Sequence, residues 1–118
     1  MDNINIEELI NLDCTDSDNL DILIEFLSKI KPLRKVYKNT GEIPLKYIEK
    51  VIMIIDKKYN FGIRSISPDC NASINHIVWR STVLNYKTIE IMKQIYGCTI
   101  YEVAAKTALY MYYKIKEM

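Results

Sequence analysis

Apolar residues recur along this chain mainly at the helical period of about 3.6 residues. From Thr99 to Met118, Ile100, Tyr101, Ala104, Ala105, Ala108, Met111, Tyr112, Ile115 and Met118 fill one continuous arc of a helical wheel. Val103, Leu109, Tyr110 and Tyr113 break up the opposite, charged side. A helix with this much apolar surface must pack against several neighbours of its own chain or against another protein. Thr99 and Glu102 make a capping box at its start, and Glu102 and Lys106 a favourable i, i+4 pair.

Upstream, Asn5 with Glu8 resembles a capping pair for a short helix with Ile6, Leu9 and Ile10 on one face. Leu20, Leu23, Ile24, Leu27 and Ile30 predict a stronger helix, capped by Asp16 or Ser17 and ended by Pro32. The stretch from Lys31 to Ile43, with Pro32, Asn39, Thr40 and Gly41, reads as a surface loop. After Pro44, the stripe Leu45, Ile48, Val51, Ile52, Ile55 and Tyr59 predicts another helix, closed by Asn60 to Gly62. Residues 62 to 75 are the least regular: Ile63 to Ser67 suits a strand and Pro68 to Asn71 a turn, while Ile74, Ile77, Val78 and Leu84 fit the helical period better than alternation. Ile89, Met92, Ile95 and Tyr96 then predict a helix closed by Gly97.

These elements imply an all-α fold, a compact bundle of five or six helices with the apolar C-terminal helix central or shared between subunits. The alternative is α+β with a small hairpin around residues 62–84. A chain of 118 residues is expected to form a single domain spanning 1–118.

Composition narrows the class without naming a chemistry. A hydrophobic fraction of 49% and a charged fraction of 26% are those of a globular protein. Val51 to Ile55 is closed by Asp56, Lys57 and Lys58, so no membrane span is expected, and the acidic start, with Asp2, Glu7 and Glu8, is unlike a secretory leader. Cys14, Cys70 and Cys98 are odd in number and widely spaced, so reduced thiols in a cytoplasmic protein are expected. Abundant Ile, Lys, Asn and Tyr point to an AT-rich genome, as in many viruses, phages and low-GC bacteria.

The net charge of +1 hides a marked asymmetry. Residues 1–28 hold Asp2, Glu7, Glu8, Asp13, Asp16, Asp18, Asp21 and Glu25 and no lysine or arginine, so all 16 basic residues lie downstream. This acidic segment is expected either to be a solvated helix or to contact a basic surface.

Three constellations could carry function. Tyr110, Tyr112 and Tyr113, with Val103, Ala108 and Leu109, make the last helix a candidate interface, because tyrosine combines an apolar face with a hydroxyl that tolerates a wet rim. Lys29, Lys31, Arg34, Lys35 and Lys38 concentrate positive charge that could meet a phosphate backbone. Arg64, Ser65, Ser67, His76 and Arg80 are suited to a small anionic ligand such as a nucleotide. Ile89 to Ala108 faintly resembles the first two helices of a helix-turn-helix, but Thr107 to Tyr113 continues as apolar and aromatic helix where a basic recognition helix would be needed.

No catalytic spacing is present. His76 lacks a fixed carboxylate partner, and without a Cys-x-x-Cys or a second histidine no metal site is expected. The leading expectation is a non-enzymatic, self-associating helical protein without cofactors, a homo-oligomer with a dimer favoured. It would act by protein–protein contact, as a viral or phage inhibitor or regulator of a host factor. Nucleic-acid binding through residues 29–38 and anion binding through Arg64 and Arg80 are the alternatives.

Overall fold

Among the described residues, four helices, a three-stranded antiparallel sheet and a last helix follow one another. The computed structural model describes residues 5–14, 16–59, 61–68, 79–85, 88 and 90–117. They form α1 (Ile6–Ile10), α2 (Ser17–Leu27), α3 (Lys31–Thr40), α4 (Leu45–Tyr59), β1 (Phe61–Pro68), β2 (Trp79–Asn85), β3 (Ile91–Gly97) and α5 (Ile100–Glu117). The fold is therefore α+β, and the all-α bundle is corrected. Strands β1 and β2 supply the hairpin of the alternative reading, and β3 extends it to the sheet order β1-β2-β3.

Local chemistry explains most of the element boundaries. The Asn5 side chain accepts from the Glu7 amide at 2.8 Å and the Asp16 side chain from the Asp18 amide at 2.9 Å, each satisfying a donor that an open helix start leaves free. Three residues after α2, α3 begins with Pro32 in its first turn, where a missing amide hydrogen costs no helical bond. The expected loop over 31–43 is thus largely helix. Leu33 is buried and Val36 and Tyr37 half-buried, a stripe at i, i+3 and i+4. Gly41 ends α3 with φ of 76° and donates its amide to the Tyr37 carbonyl at 2.7 Å.

Sheet register shows why residues 91–97 are not the predicted helix. Ser81 pairs with Ile95 and Thr82 with Gln94, so successive side chains alternate between faces. Ser81, Val83, Ile95 and Gly97 are buried against the helices, while Arg80, Thr82 and Gln94 are half-buried and Tyr96 exposed on the other face. Ile89, Met92, Ile95 and Tyr96 satisfy the helical spacing, but tertiary pairing with β2 decides. Irregularities between Arg64 and Ser67 and between Val83 and Leu84 mark bulges. Residues 69–78, part of the predicted turn and helix, lie outside the described residues.

Helix α5 is the centre of the molecule. It touches α1, α2, α4 and all three strands. Every residue from Glu102 to Met111 is buried, including Val103, Ala104, Ala105, Ala108 and Leu109 at 0% exposure. A helix buried on all sides needs apolar residues on all sides, which accounts for the mixed wheel of its sequence. Gly97 lets β3 approach it closely, since a Cβ there would lie 2.8 Å from the Glu102 carboxyl carbon and 2.9 Å from a Val103 methyl.

Candidate functional site

Burial of α5 decides the fate of the first predicted surface. Val103, Ala108, Leu109 and Tyr110 are buried in the chain's own core, and Tyr112 and Tyr113 are half-buried, their rings meeting edge to face at 5.6 Å. Self-association through that face loses its premise, because the apolar surface is consumed by the fold. The charges among these residues are consumed too. Lys106 donates to Glu102 Oε2 at 2.7 Å and to the Leu12 carbonyl at 2.6 Å, while Glu102 Oε1 accepts from the Cys98 amide at 3.0 Å. A pair expected to decorate a helix surface instead ties the α1–α2 connection and the β3–α5 turn to the central helix.

The sheet brings part of the predicted anion site together. Backbone register sets Arg64 opposite Thr82 and Ser67 opposite Arg80, and Ser65 falls in the irregular stretch between them. Arg80 is half-buried and already engaged, and His76 lies outside the described residues. Thr82 and Arg80 share one face of β2, so Arg64 and Ser67 hold register positions on the same face as Arg80.

Basic residues 29–38, by contrast, gain an order that the sequence concealed. Lys31, Arg34, Lys35 and Lys38 stand at i, i+3, i+4 and i+7 of α3, which aligns them along one side of the helix, and all four are exposed. Helix α3 contains no acidic residue, and none of the four has an ion-pair partner among the described residues. Lys29 precedes the helix with its ammonium 4.5 Å from the Phe26 ring centroid, and Arg34 donates to the Lys29 carbonyl at 3.1 Å. These contacts hold the near end of the stripe without neutralising it.

Charge placement at the start of α3 runs against helix stability, whereas Lys38 in the last turn suits the dipole. Lys31 and Arg34 sit in the first turns, where the aligned peptide dipoles already make the backbone positive, and Ile30 offers no side-chain cap. A surface helix selected for stability alone places Asp or Glu there.

Other surface features are less organised. Met53 and Ile54 are exposed at 69% and 57% on α4, between Lys50 and Lys57. An open apolar groove of about 490 Å³ runs between α2 and the α3–α4 connection, lined by Leu20, Ile24, Ile43, Pro44, Leu45 and Tyr101. The Tyr101 hydroxyl donates to the Ile43 carbonyl at 2.7 Å, and burial, reinforced by the charge of Glu42, raises its pKa above the usual 10.0. A second cleft, of about 290 Å³, is lined by Ile10 to Leu12, β3, Glu102 and Lys106. Cys14, half-buried nearby, has its thiol pKa raised by burial, with Lys106 acting in the opposite direction. Among the described residues no three His, Cys, Asp or Glu side chains gather as metal ligands, and no helix is long and apolar enough to cross a membrane.

No protein-family model matches the sequence, and neither a curated protein nor a solved structure matches it.

Proposed function

We propose that the protein binds nucleic acid, with α3 laying its cationic stripe along the phosphate backbone of a duplex. The observation that carries this reading is the alignment of Lys31, Arg34, Lys35 and Lys38 on one exposed helix face without a carboxylate among them. Helical rise spaces the outer members about 10 Å apart, a reach of several phosphates on one groove edge. Arginine and lysine donors can contact phosphate oxygens without reading bases, so the expected binding tolerates sequence variation.

The near-neutral total charge is compatible with this role because the charge is segregated. Acidic residues of α1 and α2, such as Glu7, Glu8, Asp18, Asp21 and Glu25, are exposed at their own positions and pair with none of the stripe cations among the described residues. A polyanion is repelled by the first helices and attracted by α3, which orients the encounter.

Fluorescence anisotropy on a labelled duplex, repeated over a salt series, tests the proposal. Four phosphate contacts give a slope of log K against log salt near about −3.6, with a shallower slope on a single strand of the same sequence. Binding that is absent at low ionic strength, or that ignores salt, refutes it.

A further inference from the structure

Helix α4 divides its apolar residues between two surroundings. Ile48, Val51, Ile52 and Ile55 are buried, and the helix packs on α5 and β1, so its inner face is filled by the chain's own core. On the outer face Lys46, Lys50, Met53, Ile54 and Lys57 follow at i, i+4, i+7, i+8 and i+11, which sets them along one side of the helix, and all five are exposed. Lys58, four residues beyond Ile54, is exposed as well, and Glu49 is the one exposed acid of α4. Met53 and Ile54, at 69% and 57%, are two of the most exposed large apolar side chains among the described residues, and they are adjacent. Apolar residues scattered singly over a surface are ordinary, whereas an adjacent pair framed on both sides by lysines has a definite complementary chemistry.

We propose that this face docks on an anionic lipid bilayer, with Met53 and Ile54 entering the headgroup region and Lys46, Lys50, Lys57 and Lys58 meeting the anionic headgroups around them. Charge complementarity selects an anionic surface, and the apolar pair within the stripe selects lipid among anionic surfaces. Lysine stems lie along the boundary and keep their ammonium groups at headgroup level while the two apolar side chains descend. A nucleic-acid backbone would use the lysines and leave Met53 and Ile54 in water. The stripe of α3, with no exposed Met, Ile, Leu or Val, fits that ligand better. A protein partner fits α4 less well, because protein interfaces are depleted of lysine and need a patch of about 800 Å² on each side. From Lys46 to Lys58 the stripe runs about 18 Å, and with its inner face held by the core the helix lies along the bilayer and does not cross it.

Lipid docking stands on α4 alone, whatever α3 binds, and its test has its own readout. Co-sedimentation of the full chain with vesicles of mixed phosphatidylserine and phosphatidylcholine is compared with vesicles of phosphatidylcholine alone. The chain binds the mixed vesicles, less tightly as salt rises, and the neutral ones far more weakly. Lys50→Gln with Lys57→Gln lowers vesicle affinity about fivefold per lysine. Met53→Ser with Ile54→Ser, both at exposed sites, keeps the fold by circular dichroism, lowers vesicle affinity about tenfold or more, and leaves duplex affinity unchanged. A chain held on the vesicle by charge alone would be indifferent to that second variant. No binding to the mixed vesicles, equal binding to the neutral ones, or binding indifferent to Met53 and Ile54 overturns the proposal. A matching loss of duplex binding in the Met53 and Ile54 variant overturns it too, by assigning the face to nucleic acid.

Discussion

Helices α5 and α3 both carry cations among apolar residues, and the fold uses them in opposite ways. On α5, Lys106 is enclosed at 2% exposure and satisfied by Glu102 and by the Leu12 carbonyl. On α3, Leu33 is the one fully buried residue of ten, and four cations stand in solvent without an ion pair among the described residues. A charge that the fold needs has its partner inside the molecule. Lys31 and Arg34 stand at the positive end of α3 without an ion pair among the described residues, which is what the proposed binding to a polyanion draws on. The contrast also reverses the sequence-based ranking, in which the last helix was the interface and the basic segment a loop.

Introducing a charge is the most drastic way to sharpen this contrast. Ala108→Arg buries an unpaired guanidinium at a site of 0% exposure and should cost about 4 kcal/mol or more, enough to unfold a domain of this size. Asn39→Arg on exposed α3 should change stability by less than about 0.5 kcal/mol. Urea unfolding of the two variants measures the difference, and equal losses would erase the distinction between the helices.

Next in size is the buried pair. Lys106→Ala strands the Glu102 carboxylate in the core and should cost about 3–5 kcal/mol, whereas the double change Glu102→Gln with Lys106→Met should recover much of that loss. A double variant no more stable than Lys106→Ala would show that Glu102 is not stranded when its partner is removed.

A smaller effect is expected at alkaline pH. Burial, reinforced by the charge of Glu42, favours the protonated form of Tyr101 and raises its pKa above 10.0. The folded state then binds more protons than the unfolded one above that pH. The contribution is complete below the ordinary value and is lost as pH rises through the raised one. Thermal melts across this range should fall less steeply for Tyr101→Phe than for the wild-type chain. Parallel curves would remove Tyr101 from the account.

Particular residues show what the sequence could and could not reveal. Helices α2, α4 and α5 form where their apolar spacing predicts, because each stripe is long enough to exclude alternation. Pro32 misled because the same residue that stops α2 is acceptable in the first turn of α3, and only the burial of Leu33, Val36 and Tyr37 reveals a helix after it. Ile89, Met92, Ile95 and Tyr96 misled because their spacing suits a helix, while pairing with β2 turns Ile95 inward and Tyr96 outward. The cluster at Lys29 to Lys38 was visible as composition. Its alignment depended on knowing that the segment is helical.

The most direct measurement follows one variant, Lys31→Glu with Lys35→Glu, through both stability and duplex binding. Lys31 lies at the positive end of α3, so its replacement by an acid should hold or raise stability, by about 0.3–1 kcal/mol. The account predicts an unchanged or higher melting temperature together with lost duplex binding. Binding that survives in the folded variant, or is lost only because the variant unfolds, would contradict it.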